Sequence, residues 1–457
     1  MKHIHILGIC GTFMGALAVL AKQQGYKVTG ADQNVYPPMS TYLQQMGIEI
    51  ISGFDISQLD CKPDKVIIGN TMKRGLPIIE AILERSIPYT SGPQWLYDAV
   101  LKNKKVIAVS GTHGKTTTTS LIAKILDYAG FNPGFFIGGV PQDFGVSARL
   151  TDAEYFVIEA DEYDTAFFDK RSKFMHYHPQ ELVINNLEFD HADIFEGIKD
   201  IYRQFHYLIR TLPKSARIFY PLEDAHVSTL LDMGCWSTKI PIKTKNLIPL
   251  SPDFSHFMIE EGSEKCEISW MHLGLHNAQN ALSAYKIAKA LGIDTVIIAK
   301  ALQEFKGVKR RLECLYKNDC LAIYDDFAHH PTAVLHTLNA VKSKAKQDEK
   351  VIAIIEARSN TMKQGVHKEA LCSALKVADE VWFYQHEQMQ WHIASLSGNE
   401  NILVFDSIEA IVERFSQSCI EKPFQHFVIM SNSGFGGLQQ KLQNMVASNQ
   451  AGIPNKA

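Results

Sequence analysis

The stretch AVSGTHGKTTTTSLIAKIL, residues 108–126, decides the fold of this chain. An apolar run leads into a glycine-rich loop that ends in Gly114-Lys115-Thr116, and apolar residues then recur at helical spacing. This order predicts a strand, a phosphate-binding loop and a helix whose N-terminal N–H groups bind phosphate. The usual pattern has a glycine five positions before the Gly-Lys pair, but Val109 stands there and the nearest upstream glycine is Gly111. The loop is therefore two residues short, and we still expect it to bind a nucleotide.

Two acidic segments further along the chain are candidates for the metal that accompanies such a nucleotide. Lys115 is expected to contact the terminal phosphates, and the Thr116 hydroxyl to bind Mg²⁺. Glu159 ends the apolar run of FVIEADEYD, and His191 lies in NNLEFDHAD after a second apolar run. Both are predicted metal ligands. A solvated acidic turn and an ordinary surface or core histidine are the alternatives.

Composition limits the class of protein. The chain has 457 residues with 46 basic and 49 acidic side chains, which disfavours a nucleic-acid binder with a concentrated basic surface. Its eight cysteines include no C-x-x-C pair, so we expect reduced thiols. The start MKHIHILGICGTFMGALAVLA imitates a signal peptide, but three glycines interrupt it and a strand-like segment follows. We expect a cytoplasmic protein that does not associate with membranes.

Strand-like and helix-like patterns alternate along the chain, which predicts α/β architecture with parallel sheets. At about 150 residues per domain, the length suggests roughly three domains. We place them at 1–103, 104–311 and 312–457. A region around 245–268 is less regular.

The N-terminal turn GICGTFMG also departs from a known pattern. A dinucleotide fingerprint requires G-x-G-x-x-G, whereas this turn has Gly8, Gly11 and Gly15, with Cys10 at the second glycine position. Together with Asp32, the turn still predicts a phosphate-bearing ligand bound in Rossmann fashion. NAD binding, or a turn that only packs helix on strand, remain alternatives from spacing alone.

Several segments together resemble one family, the Mur ligases, which are ATP-dependent amide-forming enzymes of peptidoglycan synthesis. In chain order these segments are GTHGKTTTT, EADEYD, NNLEFDHADIF, GLHNAQNALSAY, GVKRRLE and DDFAHHPTAV. The resemblance implies Rossmann-like N- and C-terminal domains around a central P-loop ATPase domain. It also implies a reaction in which ATP activates a carboxylate as an acyl phosphate and an amine then displaces phosphate.

Other segments favour one branch of the family, which joins UDP-N-acetylmuramate to the recycled tripeptide L-alanyl-γ-D-glutamyl-meso-diaminopimelate. They are HILGICGTFMGALA, MKRG, EARSNTMKQG and MSNSGFGGLQQKL. The alternatives are the L-alanine-adding branch, which carries a different segment in place of EARSNTMKQG, and a nucleotide-binding or sensing protein without ligase turnover.

The resemblance assigns roles residue by residue, with ATP and Mg²⁺ as cofactors and small molecules as partners. The implied ATP-binding residues are Gly111, Thr112, His113, Gly114, Lys115, Thr116, Thr117, His276, Asn277, Asn280, Asp326, His329 and His330. The implied metal ligands are Thr116, Glu159 and His191. The implied UDP-sugar residues are Gly8, Gly11, Thr12, Gly15 and Asp32. The implied peptide-binding residues are Arg358, Ser359 and Asn360. The implied catalytic residues are Lys115, Glu159, His191, Arg310 and Arg311, and which arginine contacts phosphate stays open.

Two residues depart from the family pattern. Several members carry a carbamylated lysine where this chain has His206, so we expect no carbamate here. Phe327 replaces a tyrosine that the L-alanine-adding branch tends to have, and it removes any hydrogen bond made by that hydroxyl.

Overall fold

The computed structural model describes residues 1–35, 39–395, 401–418 and 424–451. The chain divides into two compact units. The first unit comprises Met1–Glu188, Ile198–Thr244 and Ser283–Ala301. The second unit comprises Phe189–Gly197, Lys245–Leu282 and Leu302–Ala457.

The N-terminal part of the first unit is a parallel sheet with helical crossovers. Its strands are β1 (His3–Leu7), β2 (Lys27–Asp32), β3 (Glu49–Ser52), β4 (Lys65–Ile68) and β5 (Tyr89–Ser91). Its helices are α1 (Thr12–Gln23), α2 (Met39–Gln45), α3 (Pro77–Glu84) and α4 (Gly92–Ala99). The strand order is β3-β2-β1-β4-β5. From β1 the chain first adds β2 and β3 on one side and then β4 and β5 on the other, so the direction in which strands are added changes between β1 and β4. Such a reversal opens a crevice at the carboxyl ends of the strands, where α/β proteins bind ligands.

The rest of the first unit is built on a second sheet. Its strands are β6 (Lys105–Ser110), β7 (Gly134–Phe136), β8 (Ala148–Arg149), β9 (Tyr155–Glu159), β12 (Glu181–Ile184), β13 (Arg217–Pro221) and β14 (Thr238–Ile242). A separate hairpin consists of β10 (Asp164–Ala166) and β11 (Asp169–Ser172). The helices are α5 (Lys115–Tyr128), α6 (Ile198–Thr211) and α7 (Ala225–Asp232). In the order β14-β13-β12-β6-β9-β7-β8, strand β6 is central and parallel to both neighbours, so the loop that follows it lies at the middle of the sheet edge.

The second unit contains a small antiparallel sheet in the region whose sequence pattern is irregular. Its strands are β15 (Leu247–Pro249), β16 (His256–Glu261) and β17 (Glu264–Ser269). In β17, Cys266 and Ile268 are buried while their neighbours are exposed. This half-buried alternation is the pattern of a strand with one face in water.

The larger sheet of the second unit is mostly parallel. Its strands are β18 (Glu313–Lys317), β19 (Leu321–Asp326), β20 (Lys350–Glu356), β21 (Glu380–Tyr384), β22 (Ile402–Phe405) and β23 (Gln425–Met430). The remaining helices of the chain are α8 (Leu275–Ala290), α9 (Thr295–Gln303), α10 (Pro331–Lys344), α11 (Asn360–Lys363), α12 (Lys368–Leu375), α13 (Ile408–Ser418) and α14 (Leu438–Ala451). The order is β18-β19-β23-β20-β21-β22, and β18 alone of the strands in the described residues of this sheet runs antiparallel to its neighbour. Strands β19 and β23 are buried along their whole length, because apolar clusters cover both faces of the sheet.

The parallel sheets and their helical crossovers confirm the predicted α/β class. In the part of the chain that the structure describes, no helix is long and apolar enough to cross a membrane. The predicted boundaries at 1–103, 104–311 and 312–457 stay predictions.

Candidate active site

The phosphate loop connects β6 to α5 and depends on two glycines. Gly114 precedes the helix with φ 77°. Residues other than glycine adopt this left-handed backbone conformation only at a cost in free energy. Gly111 has φ 125°, and a Cβ there would lie 2.8 Å from the carbonyl oxygen of Asn186. The loop therefore needs glycine both for its backbone conformation and for its close approach to the segment after β12.

Asn186 holds the shortened loop in place. The N–H of His113 donates to Asn186 Oδ1 at 2.7 Å, and the N–H of Thr112 donates to the Asn186 carbonyl at 3.2 Å. The Glu188 N–H donates to Thr112 Oγ1 at 2.8 Å, and His113 Nε2 lies 3.1 Å from Glu188 Oε2. The segment after β12 therefore fixes the loop from outside. The first N–H groups of α5 lack partners within the helix, as at any helix N-terminus, and such groups can bind a phosphate.

Lys115, the first residue of α5, is held by two carboxylates. Its Nζ lies 2.7 Å from Glu162 Oε2 and 3.8 Å from Asp161 Oδ1. The side chains of Lys115 and Glu162 are only 12% and 3% exposed. Burial alone lowers the pKa of an ammonium group, but Glu162 and Asp161 outweigh burial and raise the pKa of Lys115 above its ordinary value. The phosphate-loop cation is therefore fully charged and already paired.

The predicted metal ligands of the first unit lie together. Thr116 Oγ1 donates to Glu159 Oε1 at 3.1 Å, and the Gly138 N–H donates to Glu159 Oε2 at 2.7 Å. The two side chains meet because β6 and β9 are parallel neighbours with Val109 paired to Glu159. A hydroxyl and a carboxylate are oxygen donors of the kind that Mg²⁺ prefers, so these residues fit that ion.

The predicted UDP-sugar residues lie at the carboxyl ends of β1 and β2 and in the turn into α1. Gly8 has φ 81°, and a Cβ at Gly15 would meet Met39 Sδ at 2.5 Å. Gly11 precedes α1, so no side chain at this position caps the first N–H groups of the helix. Asp32 accepts the N–H of Cys10 at 2.9 Å and therefore also fixes the turn.

In the second unit, histidines gather around Asp190. Its carboxylate accepts the N–H of His191 at 2.7 Å and lies 4.0 Å from His329 Nε2. Burial raises the pKa of Asp190, but His191, His329 and His330 outweigh burial and lower this pKa to about 2. The Thr361 hydroxyl accepts the N–H of Ala192 at 3.1 Å. The predicted metal histidine thus lies in a loop that is tied to the start of α11.

Three of the predicted ATP-binding residues, His276, Asn277 and Asn280, lie in the first turns of α8. The residues Asn277 and Asn280 are 7% and 8% exposed, and Asn277 Nδ2 donates to the Leu273 carbonyl at 2.8 Å. The His276 ring stacks on His336 with an interplanar angle of 8°. Burial, with a further contribution from His336, lowers the pKa of His276 to about 3, so this imidazole is neutral at physiological pH.

The two candidate arginines differ in their surroundings. Arg310 Nη2 donates to the carbonyl oxygens of Ser431 and Ser433, each at 2.6 Å. The Arg311 guanidinium lies 4.8 Å from the centre of the Phe327 ring. Arg310 therefore secures the segment after β23, and which of the two arginines contacts phosphate stays open.

Asp326, at the end of β19, has a structural role in addition to any contact with a nucleotide. It accepts the N–H groups of Leu312 and Ala328 at 2.6 and 2.7 Å. Burial raises the pKa of Asp326 to about 6, although Arg311 and these two donors act against that rise.

The predicted peptide-binding residues follow β20. Arg358 Nη1 donates to His386 Nε2 at 2.6 Å and lies 3.6 Å from Glu356 Oε1, and its side chain is 40% exposed. Ser359 caps α11 by accepting the N–H of Met362 at 3.3 Å. Asn360 Nδ2 donates to Asp193 Oδ2 at 3.4 Å. Arg358 is accessible, whereas Ser359 and Asn360 also stabilise the local backbone.

Three family models match this chain in order. "Mur ligase family, catalytic domain" matches residues 3–104, "Mur ligase middle domain" matches 109–288, and "Mur ligase, glutamate ligase domain" matches 310–431. A UDP-N-acetylmuramate–L-alanyl-γ-D-glutamyl-meso-2,6-diaminoheptandioate ligase from Haemophilus influenzae is 49% identical over 449 residues, which are 97% of this chain and 98% of that protein. The chain belongs to the Mur ligase family. Its three-domain α/β architecture, predicted from the sequence, is confirmed.

Two further relatives of this Mur ligase indicate where it stands in the family. A crystal structure of a murein peptide ligase from Psychrobacter arcticus is 40% identical, covers 99% of this chain and 100% of that chain, and superposes with a TM-score of 0.74. A UDP-N-acetylmuramate–L-alanine ligase from Alkaliphilus metalliredigens is 30% identical over 415 residues, 88% of each chain. Identity is thus higher to the relative named for a tripeptide than to the relative named for L-alanine.

Sequence reasoning missed several residues that shape the site of this Mur ligase. Asn186 anchors the phosphate loop, Glu162 pairs with Lys115, and Thr361 holds the loop of His191. Glu162 lies in the acidic run EADEYD, where nothing local distinguishes it from its neighbours. Asn186 belongs to the motif NNLEFDHADIF, but its side-chain contact spans 73 positions of the chain.

Proposed function

We propose that this protein joins UDP-N-acetylmuramate to L-alanyl-γ-D-glutamyl-meso-diaminopimelate, using ATP, in the recycling of peptidoglycan. The 49% identity to a ligase of that name, over nearly the full length of both chains, carries the proposal. The phosphate loop with its paired lysine supports it, because an ATP-dependent ligase needs such a site. Both substrates are small molecules, and we place the reaction in the cytoplasm, where ATP is available.

The reaction brings one anion to another, so the site must cancel charge. A carboxylate oxygen of UDP-N-acetylmuramate attacks the γ-phosphorus of ATP, and ADP leaves. The α-amine of the peptide then attacks the carbonyl carbon, and inorganic phosphate leaves. Lys115 and the N-terminus of α5 would neutralise the developing charge on the phosphoryl oxygens. Mg²⁺, held by Thr116 and Glu159, would add further positive charge there.

The remaining predicted roles form part of this proposal. The turn of Gly8, Gly11, Thr12 and Gly15 would hold the UDP group at the crevice between β1 and β4. Seven further residues are proposed to bind the metal or the nucleotide, because they match the motifs of the family. They are His191, His276, Asn277, Asn280, Asp326, His329 and His330. Arg310 or Arg311 is proposed to contact phosphate.

A single assay tests the function. Purified protein is given ATP and UDP-N-acetylmuramate with L-alanine, with L-Ala-D-Glu or with the tripeptide, and ADP release is measured. We expect turnover with the tripeptide to exceed turnover with L-alanine by at least an order of magnitude. A preference for L-alanine would assign the protein to the L-alanine-adding branch. ATP hydrolysis that needs neither substrate would indicate a nucleotide-binding protein without ligase activity.

We predict that Arg358→Ala weakens the binding of the tripeptide only. The peptide carries several carboxylates, and an accessible guanidinium at the carboxyl end of β20 is suited to bind one. The KM for the tripeptide should rise by an amount corresponding to ~1.5–3 kcal/mol, the range for hydrogen bonds to charged groups. The KM values for ATP and UDP-N-acetylmuramate should stay within about two-fold.

The control is Lys363→Ala, which removes a nearby cation that contacts Gln388. It should leave the KM for the tripeptide unchanged. An Arg358→Ala variant with normal tripeptide KM, or with equal losses for all three substrates, would show that peptide selection lies elsewhere.

We also predict that bicarbonate does not activate this enzyme. A carbamate forms on a neutral amine, and His206 occupies the position at which several family members carry the lysine. In the structure the His206 ring lies against Trp236, with ring centres 6.2 Å apart. Activity measured in CO₂-depleted buffer, with and without added bicarbonate, should agree within error. Clear activation would mean that a lysine elsewhere is carbamylated.

A further inference from the structure

Lys173 lies beside the phosphate loop, yet neither the metal site nor the nucleotide site described above uses it. It begins the short 3-10 helix Lys173–His176 that follows the hairpin of β10 and β11. Its side chain is 13% exposed, and its Nζ lies 2.8 Å from Asp161 Oδ2. Burying a charge is costly unless it is paired, and Asp161 supplies that pairing for this ammonium beside the phosphate-binding loop.

The backbone fixes the position of Lys173. The N–H of Lys173 donates to the Tyr163 carbonyl at 3.0 Å, and the hydroxyl of the preceding Ser172 donates to the Glu162 carbonyl at 2.5 Å. The hairpin is thereby fastened to the same turn that carries the two carboxylates beside Lys115. The backbone that carries the ammonium is therefore positioned in advance, which lowers the cost of ordering it around a ligand.

Lys173 and Lys115 share one carboxylate. Asp161 Oδ2 contacts Lys173, while Asp161 Oδ1 lies 3.8 Å from Lys115 Nζ. The cation proposed for the γ-phosphate and the cation of Lys173 are therefore immediate neighbours. In the described residues, Asp161 is the one hydrogen-bond acceptor of the Lys173 ammonium, which has three N–H donors.

On its other side, Lys173 faces the glycine turn of the N-terminal sheet. Its Nζ lies 5.7 Å from the ring centre of Phe13 and 5.4 Å from that of Tyr163. Phe13 is the second residue of α1, directly after the turn proposed to hold the UDP group. The ammonium thus lies between the proposed diphosphate cradle and the phosphate loop.

We propose that Lys173 binds the carboxylate of UDP-N-acetylmuramate and positions it for attack on the γ-phosphate. The inference rests on the proposed function. A ligand on the glycine turn whose carboxylate comes within about 3–3.5 Å of a phosphate beside Lys115 spans the region in which the Lys173 ammonium lies. An ammonium pairs with a carboxylate through charge-assisted hydrogen bonds, and it offsets the repulsion between the two reacting anions.

The test compares two ligands that differ in the carboxylate. UDP-N-acetylglucosamine has the same nucleotide and sugar as UDP-N-acetylmuramate but lacks the lactyl group. Lys173→Met removes the charge and keeps the apolar stem. Lys170→Met is the matched control, since this lysine of the same hairpin is 68% exposed and pairs with Asp164. Affinities of both ligands for the full-length protein are measured by calorimetric titration.

We expect Lys173→Met to weaken the binding of UDP-N-acetylmuramate about 10- to 100-fold, which is the range for losing a hydrogen bond to a charged group. The affinity for UDP-N-acetylglucosamine should change less than about two-fold, and Lys170→Met should leave the affinities for both ligands unchanged. Equal weakening of both ligands would show that Lys173 only supports the cradle and would overturn the proposal. Unchanged affinity for UDP-N-acetylmuramate would overturn it as well.

Steady-state kinetics provide a second measurement, which is decisive if UDP-N-acetylglucosamine binds too weakly to titrate. In Lys173→Met the KM for UDP-N-acetylmuramate should rise while the KM for ATP stays within about two-fold, and Lys173→Arg should recover part of the loss. An equal rise in both KM values, or no rise, would contradict the proposal. A parent protein that releases no ADP with UDP-N-acetylmuramate and tripeptide would instead contradict the proposed function itself.

Discussion

Lys115→Ala is expected to abolish ligation, with kcat falling by about 10³-fold or more. The ammonium lies at the N-terminus of α5, where the terminal phosphates of ATP would bind, and catalysis of phosphoryl transfer depends mainly on positioning and on preorganised positive charge. The measurement is ADP release at saturating substrates. A kcat close to that of the parent would contradict the assignment of this loop.

The same substitution should also lower stability. Glu162 is 3% exposed and loses its ion pair with Lys115, and removing one member of a buried ion pair costs about 3–5 kcal/mol. Thermal unfolding of Lys115→Ala should therefore begin at a lower temperature. In the double variant Lys115→Ala/Glu162→Gln most of this loss should be absent, while ligation stays abolished.

Helix α5 offers a matched control for that stability effect. Lys124 Nζ lies 2.9 Å from Asp143 Oδ1, and the two side chains are 15% and 4% exposed. Lys124→Ala should cost a similar free energy of unfolding, because it breaks an equally buried pair on the same helix. Its kcat should stay near that of the parent. A large loss of kcat in Lys124→Ala would mean that destabilisation alone accounts for the inactivity of Lys115→Ala.

Glu159→Ala is expected to slow turnover about 10²-fold and to raise the Mg²⁺ concentration needed for half-maximal activity. The carboxylate of Glu159 is a suitable ligand for Mg²⁺, and it also accepts hydrogen bonds from the hydroxyl of Thr116 and the N–H of Gly138. Initial rates are measured across a Mg²⁺ titration at fixed ATP. Glu154→Ala is the control, because Glu154 directly precedes β9, pairs with Lys105 and is 56% exposed. Overlapping titration curves for Glu159→Ala and the parent would show that this carboxylate is structural.

Local patterns in the sequence were sufficient to predict the framework of the site. The apolar run before Gly111, the Gly-Lys-Thr triplet and the helical spacing after it predicted β6, the loop and α5, because these elements form from neighbouring residues. The carboxyl end of β9 was predicted in the same way, from an apolar run that ends at Glu159. The small sheet at 247–269 was missed, because its strands are short and only half buried.

Contacts across long stretches of chain could not be predicted. Lys115 and Glu162 are 47 positions apart, and the spacing of EADEYD gives no reason to prefer Glu162 over Asp161 as the partner. Arg310 and Arg311 are adjacent, and only the structure shows that Arg310 binds the carbonyl oxygens of Ser431 and Ser433. Such pairings depend on how the strands are ordered in a sheet, which a single sequence does not determine.

The contact between Asn186 and the phosphate loop has a consequence for how such loops diverge. The loop lacks two residues of the usual form, and a side chain from the segment after β12 supports its backbone instead. We therefore expect loop length and the residue at position 186 to be under joint selection. Relatives with the short loop should retain an amide at that position, and lineages that regained a longer loop should be released from that constraint. The two positions should covary although 73 residues separate them.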